Sequence, residues 1–180
     1  MSDKLRLLLF RQCNRNCDGC CNKDFDLDAL PVENDFRRYK KVFLTGGEPM
    51  LKPRLVLKVI NRIRNNSNAI IIMYTAKVDD LNSTVGVMRF LDGVTVTLHE
   101  QSDVIPFRNL ERYIRNNLPV WEITKSLRLN VFNNVSLGTV SSAWKTKRNI
   151  KWIKNAPLPK GEVFKRLDYS ILERRRVRCQ

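Results

Sequence analysis

The sequence contains a single histidine, His99, among 180 residues, so no zinc site can be built on paired imidazoles. It has no apolar run approaching the roughly 20 residues that a membrane-spanning helix requires. Its longest runs, Leu7–Phe10 and Ala69–Met73, are strand-sized. Its start does not read as a secretory signal peptide, and five cysteines are an odd number. Both points argue against a disulfide framework. Internal repeats and low-complexity linkers are also missing. What is left is a chain with 43% hydrophobic residues, enough for one domain with its own core. The expected location is the reducing cytoplasm, with no membrane partner.

Acidic residues are scarce. Asp and Glu number 18 against 33 Lys and Arg, for a net charge of +15. The excess is uneven. Residues 143–180 carry 12 basic against 3 acidic residues, whereas residues 1–142 carry 21 against 15. The expected organisation is therefore a core over 1–142 and a basic C-terminal segment over 143–180 that packs on the core or extends it. Such a charge suits nucleic acid, nucleotides or an acidic protein surface. It also suits a solvated face that aids solubility. Trp121, Trp144 and Trp152 read as core or lid residues rather than base-stacking platforms.

Three of the cysteines lie together, in Cys13-Asn14-Arg15-Asn16-Cys17-Asp18-Gly19-Cys20. Structural zinc takes four ligands, and Cys21 is too close to Cys20 for both to bind one metal comfortably. Cys179 lies near the far end of the chain. Three thiolates in one short loop can instead hold three irons of a 4Fe–4S cubane, leaving the fourth without a protein ligand. An open iron is what a cluster needs to bind and reduce a small molecule. About 25 residues later, after the apolar Val42-Phe43-Leu44, comes Thr45-Gly46-Gly47-Glu48-Pro49. Alone, that segment reads as an ordinary strand-to-helix turn. Its glycines allow unusual dihedrals and close approach of backbone to a ligand.

The two motifs together resemble the radical S-adenosylmethionine (SAM) superfamily over roughly residues 4–132. The resemblance implies a 4Fe–4S cluster on Cys13, Cys17 and Cys20. It implies that Gly46 and Gly47 meet the methionine portion of SAM, with Glu48 either receiving its ammonium or holding the loop. It further implies reductive cleavage of SAM to a 5′-deoxyadenosyl radical that takes hydrogen from a substrate. The electron would come from a flavodoxin- or ferredoxin-like donor. Glycine in place of the usual aromatic before the third cysteine, followed by Cys20-Cys21-Asn22-Lys23, is similar to the small activating enzymes of anaerobic ribonucleotide reductase and other glycyl-radical enzymes. That similarity implies a large protein substrate. The chain departs from those activases in starting almost directly at its first strand and in adding a basic C-terminal segment.

Apolar patterning predicts strands over Lys4–Phe10, Lys41–Leu44, Ala69–Thr75, Gly93–Leu98 and Ser126–Phe132. It predicts helices over Pro53–Arg64, Val78–Leu91 and Asn109–Asn117. Trp144–Ile153 reads as strand or helix, and Asp168–Arg178 as a short basic helix. The alternation of strand and helix predicts an α/β fold with parallel strands. A full barrel needs about 250 residues, so the expectation is an open partial barrel of (β/α)6 type. The cysteine loop, Gly46–Pro49, Thr75-Ala76 and His99-Glu100 all fall at predicted strand ends, where such folds place chemistry. Thr75 and His99 are thus further candidates for contacting SAM, and Thr97 and Asn130, which strand alternation points into the barrel, are candidates for its ribose. Arg11 and Lys23 flank the cysteines as solvated cations or as stabilisers of the thiolates.

Three functional readings follow. One is a radical SAM enzyme acting on a protein. Another is a radical SAM enzyme acting on RNA or a nucleotide, favoured by the charge. The last is a non-catalytic metal-cluster protein that binds nucleic acid.

Overall fold

The computed structural model describes residues 2–17, 19–117, 125–153 and 157–169. Trp121, Cys179, the side chain of Cys21 and nearly all of the helix expected over Asp168–Arg178 lie outside the described residues. The described residues include eight strands: β1 (Lys4–Leu8), β2 (Val32–Glu33), β3 (Lys41–Thr45), β4 (Ile70–Thr75), β5 (Gly93–Leu98), β6 (Ser126–Phe132), β7 (Lys145–Ile150) and β8 (Glu162–Leu167). The α-helices among the described residues are α1 (Pro53–Arg64), α2 (Leu81–Met88) and α3 (Val104–Asn116).

α1 starts at Pro53, where a missing N–H costs nothing. It buries Val56, Val59, Ile60 and Ile63 at helical spacing. α2 is shorter than the apolar pattern suggests because Asp80 caps it, accepting from the Ser83 N–H. α3 begins earlier than expected, at Val104. Pro106 falls in its first turn, where proline is tolerated. Phe107, Leu110 and Ile114 form its buried stripe.

β2 and β8 have little sequence signal. β2 is two residues long. β8 buries Phe164 and Leu167, a spacing of three rather than the two of a half-buried strand. Parallel pairing with β1 on one side and β2 on the other holds β8 in place. The ambiguous segment around residues 144–153 forms strand β7.

All pairings are parallel, and the sheet runs β2-β8-β1-β3-β4-β5-β6-β7. From β1 through β7, apart from β2, each new strand is added on the same side. Right-handed crossovers then leave the helices on one face, and α2 contacts both α1 and α3. The edges are β2 and β7, so hydrogen bonds do not close the sheet. The fold is α/β with an open parallel sheet, as a partial barrel requires. Among the described residues no helix is long and apolar enough to cross a membrane.

One core lies between sheet and helices. Leu5, Leu7, Val42, Leu44, Ile71, Met73, Val94, Val96 and Leu129 meet the apolar stripes of the helices there. By alternation the opposite face carries Arg6, Phe43, Tyr74, Thr95, Thr97, Arg128 and Asn130. Arg6 lies over the Tyr74 ring and pairs with Glu162 at 2.9 Å. Trp144 belongs to the core, with its ring edge-on to Phe107 at 5.2 Å.

Candidate active site

Because every strand runs the same way, their C-terminal ends share one rim. β1, β3, β4 and β5 are consecutive in the sheet. The cysteine loop, the Gly46–Pro49 turn, Thr75-Ala76 and His99-Glu100 therefore follow neighbouring strands. Open parallel sheets bind ligands along such a rim.

The glycine turn is sealed against the start of the cysteine loop. The Leu9 N–H donates to the Thr45 carbonyl at 2.9 Å, and the Glu48 N–H to the Gln12 carbonyl at 2.9 Å. Gly46 and Gly47 take φ of 82° and 57°, the left-handed region that side chains disfavour. A Cβ on Gly47 would stand 2.1 Å from the Gln12 oxygen, and one on Gly46 1.9 Å from Leu8 Cδ1. The close approach that demands Gly47 is made by the chain's own backbone at Gln12, one residue before Cys13, whereas Gly46 lies against the Leu8 side chain.

Glu48 is buried and serves as a bracket. Its carboxylate accepts from Thr75 Oγ1 at 2.5 Å, the Ala76 N–H at 2.8 Å and the Met50 N–H at 3.0 Å. Burial pushes its carboxyl up, against the pull of those donors. Of the two roles open to Glu48 from sequence, these contacts describe the holding one. The Thr75 hydroxyl is engaged as well, because it also receives the Lys77 N–H at 3.1 Å. Thr97 and Asn130 are register partners on β5 and β6, both half-buried on the face away from the helices.

A second bracket was not legible in sequence. Arg15, between Cys13 and Cys17, forms an ion pair with buried Asp103. The same carboxylate accepts the His99 N–H at 2.8 Å and the Glu100 N–H at 3.0 Å. His99 is thereby fixed at the end of β5, and its carbonyl receives Asn134 Nδ2 at 3.0 Å. Its ring stacks on Trp152 with centroids 5.0 Å apart and an angle of 20°, and it also meets Phe132 at 4.9 Å. Burial, helped by the Arg15 charge, holds the imidazole below its usual pKa. Its Nδ1 is buried with no hydrogen-bond partner among the described residues.

Trp152 also explains Gly19. A Cβ at Gly19 would lie 2.9 Å from Trp152 Cβ and Cε3. The position before the third cysteine is small because an aromatic ring from the C-terminal segment already stands against it. Gln12, Arg15, Asp103 and Trp152 carry no motif of their own. The nearest signal was Gly19, the place where the cysteine motif departs from its usual form.

Cys13 is exposed and Cys17 and Cys20 are half-buried, all as free thiols. The loop closes on itself through Cys20 N–H to the Cys17 carbonyl at 3.4 Å, Lys23 N–H to the Cys20 carbonyl at 2.8 Å, and Lys23 Nζ to Asn16 Oδ1 at 2.8 Å. Arg11 instead pairs with Asp28. Among the described residues no three His, Cys, Asp or Glu side chains stand ready to hold a metal ion. The donor chemistry nevertheless fits one. Burial pushes the Cys17 thiol up, and Cys20 and Cys13 push it further, with Arg15 opposing. Thiols that resist one another's ionisation are relieved by a cationic centre.

No family model, no curated protein and no solved structure matches this chain.

Proposed function

We propose that the protein is a radical SAM enzyme. The observation that carries this reading is the contact of the Gly46-Gly47 turn with Gln12, which sets the glycine-rich segment beside the three-cysteine loop on one rim. Two motifs far apart in sequence meet where parallel α/β folds bind ligands.

Cys13, Cys17 and Cys20 would hold a 4Fe–4S cluster. Once bound, that cluster would supply an electron for reductive cleavage of SAM to methionine and a 5′-deoxyadenosyl radical. The protein's share is binding, orientation and exclusion of water. The Gly46-Gly47 turn offers backbone N–H and C=O groups to the methionine ammonium and carboxylate. Glu48 keeps that turn in place through Thr75 and Ala76. Thr97 and Asn130 can hydrogen-bond a ribose on the inner face. His99, held below its usual pKa by burial and with Nδ1 unpartnered among the described residues, is a further contact for the nucleoside. A flavodoxin- or ferredoxin-like protein would deliver the electron.

The test is anaerobic reconstitution with iron and sulfide, followed by dithionite, SAM and detection of 5′-deoxyadenosine. The expected result is product from the wild type and none from Cys13→Ala, Cys17→Ala or Cys20→Ala. Full cleavage by Cys17→Ala would overturn the reading. So would a stoichiometric bound metal in folded protein that yields no deoxyadenosine.

A further inference from the structure

Resting on the radical SAM reading of this rim, we infer that its substrate is a single-stranded nucleic acid, gripped by the β7 edge and stacked on Trp152. Among the described residues β7 is an edge strand with no neighbour beyond it. It carries exposed Lys145 and Lys147, and exposed Lys151 follows directly. Among the described residues none of the three has a carboxylate at ion-pair distance. From Ser141 to Gly161 the sequence has no acidic residue at all. Arg148 is already engaged, its guanidinium donating to the carbonyls of Leu137 and Gly138.

Alternate residues of a strand repeat every ~6.6 Å along one side. Lys145 and Lys147 stand one such repeat apart, and Lys151 follows beyond the register shift at the end of β7. Unpaired ammonium groups so placed suit the phosphates of an extended strand. Lysines on an edge strand also guard it against pairing with another chain. A guard, however, needs no aromatic at its end. Here the basic row leads straight into Trp152, which keeps 39% of its surface exposed while stacked on His99 and packed on Phe132 with centroids 4.2 Å apart. Sequence patterning assigns Trp152 to core or lid. The structure sets it half-open on the rim, against the cysteine loop at Gly19. Phosphate contacts position a strand and an aromatic face takes a base. The combination of row and ring on one rim favours nucleic acid over an acidic protein surface, which needs only the row.

The test is binding of a short fluorescein-labelled oligouridylate to the full-length chain by anisotropy, across a salt series. The wild type should bind with a steep salt dependence. Lys145→Gln, Lys147→Gln and Lys151→Gln combined should lower the slope of log K against log salt by about 2. Trp152→Ala should weaken binding by about 5- to 150-fold with the slope unchanged, and Trp152→Phe should restore most of it. The lysine positions are exposed, so that arm does not depend on Trp152's place in the fold. Failure of the wild type to bind, or a triple variant with wild-type affinity and slope, overturns the inference. The assay needs neither cluster nor SAM. A chain that cleaves SAM but binds no oligonucleotide keeps the reaction and loses this substrate, leaving a protein substrate. A chain that binds as described but cleaves nothing keeps the surface and loses the reaction.

Discussion

Arg15 and Asp103, 88 residues apart, are joined in an ion pair that ties the cysteine loop to the end of β5. Asp103 also receives the backbone N–H groups of His99 and Glu100, so one carboxylate sets two walls of the candidate site. Arg15→Ala should cost about 2 kcal/mol, the usual loss for a charged hydrogen bond. Asp103→Ala should cost more, because it strands the Arg15 guanidinium and two backbone donors together. Urea denaturation of the two variants checks the order. Equal losses would mean that the backbone donors find other partners.

Gly47→Ala should be among the most damaging single-methyl changes in the chain. Its φ is 57°, and the new Cβ would meet the backbone oxygen of Gln12. The left-handed conformation alone costs about 1–2 kcal/mol, and the clash adds to it. Gly86→Ala is the control. Among the described residues nothing beyond its own helix backbone and chain neighbours lies within 4 Å of a Cβ there, and alanine in a helix should stabilise by about 0.5–1 kcal/mol. Thermal melts of both proteins should therefore shift in opposite directions.

Glu48 gives a pH signature. Burial holds its folded pKa above the ordinary value of 4.5. Between those two values the folded state keeps a proton that the unfolded state releases. Stability should therefore fall as pH rises from 4.5 through the raised pKa. Glu48→Gln should remove that slope while retaining an acceptor for some of the donors. Unfolding free energies of wild type and variant over an acidic-to-neutral pH series decide the matter.

Glu33 should show the opposite sign. It is buried at the β2–β8 edge, where Tyr39 Oη donates at 2.5 Å and Lys165 Nζ lies at 2.9 Å. Burial opposes its charge, but Tyr39, Lys165 and the Asp35 N–H outweigh it and hold the carboxyl below its usual range. Its contribution is complete above 4.5 and is lost as pH falls through the folded pKa. Glu33→Gln should therefore flatten the acid limb of the stability curve and loosen β2 and β8. Hydrogen exchange of the β8 amides is the direct readout.

Much of the fold is legible locally because its central strands and its helices carry their own patterns. Ile70–Thr75 is apolar on both faces, as a covered parallel strand must be, and α1 repeats its apolar residues at helical spacing. β8 is not legible. Its six residues bury only Phe164 and Leu167, and pairing with β1 and β2 rather than side-chain pattern makes it a strand. The apolar pattern continues past the ends of α2, whereas the Asp80 cap sets its start.

The candidate site divides in the same way. By itself the sequence determined the three clustered thiols, the glycine pair and the strand–helix alternation of parallel strands that sends their loops to one rim. Those features depend on residue type, spacing and short-range patterning. Only the tertiary structure decided that Gly47 faces Gln12, that Glu48 is a bracket for Thr75 and Ala76, that Arg15 finds Asp103, and that Trp152 stands where Gly19 leaves room. Each of these joins residues distant in the chain. Such contacts form only once the strands are in register, so no local pattern can announce them.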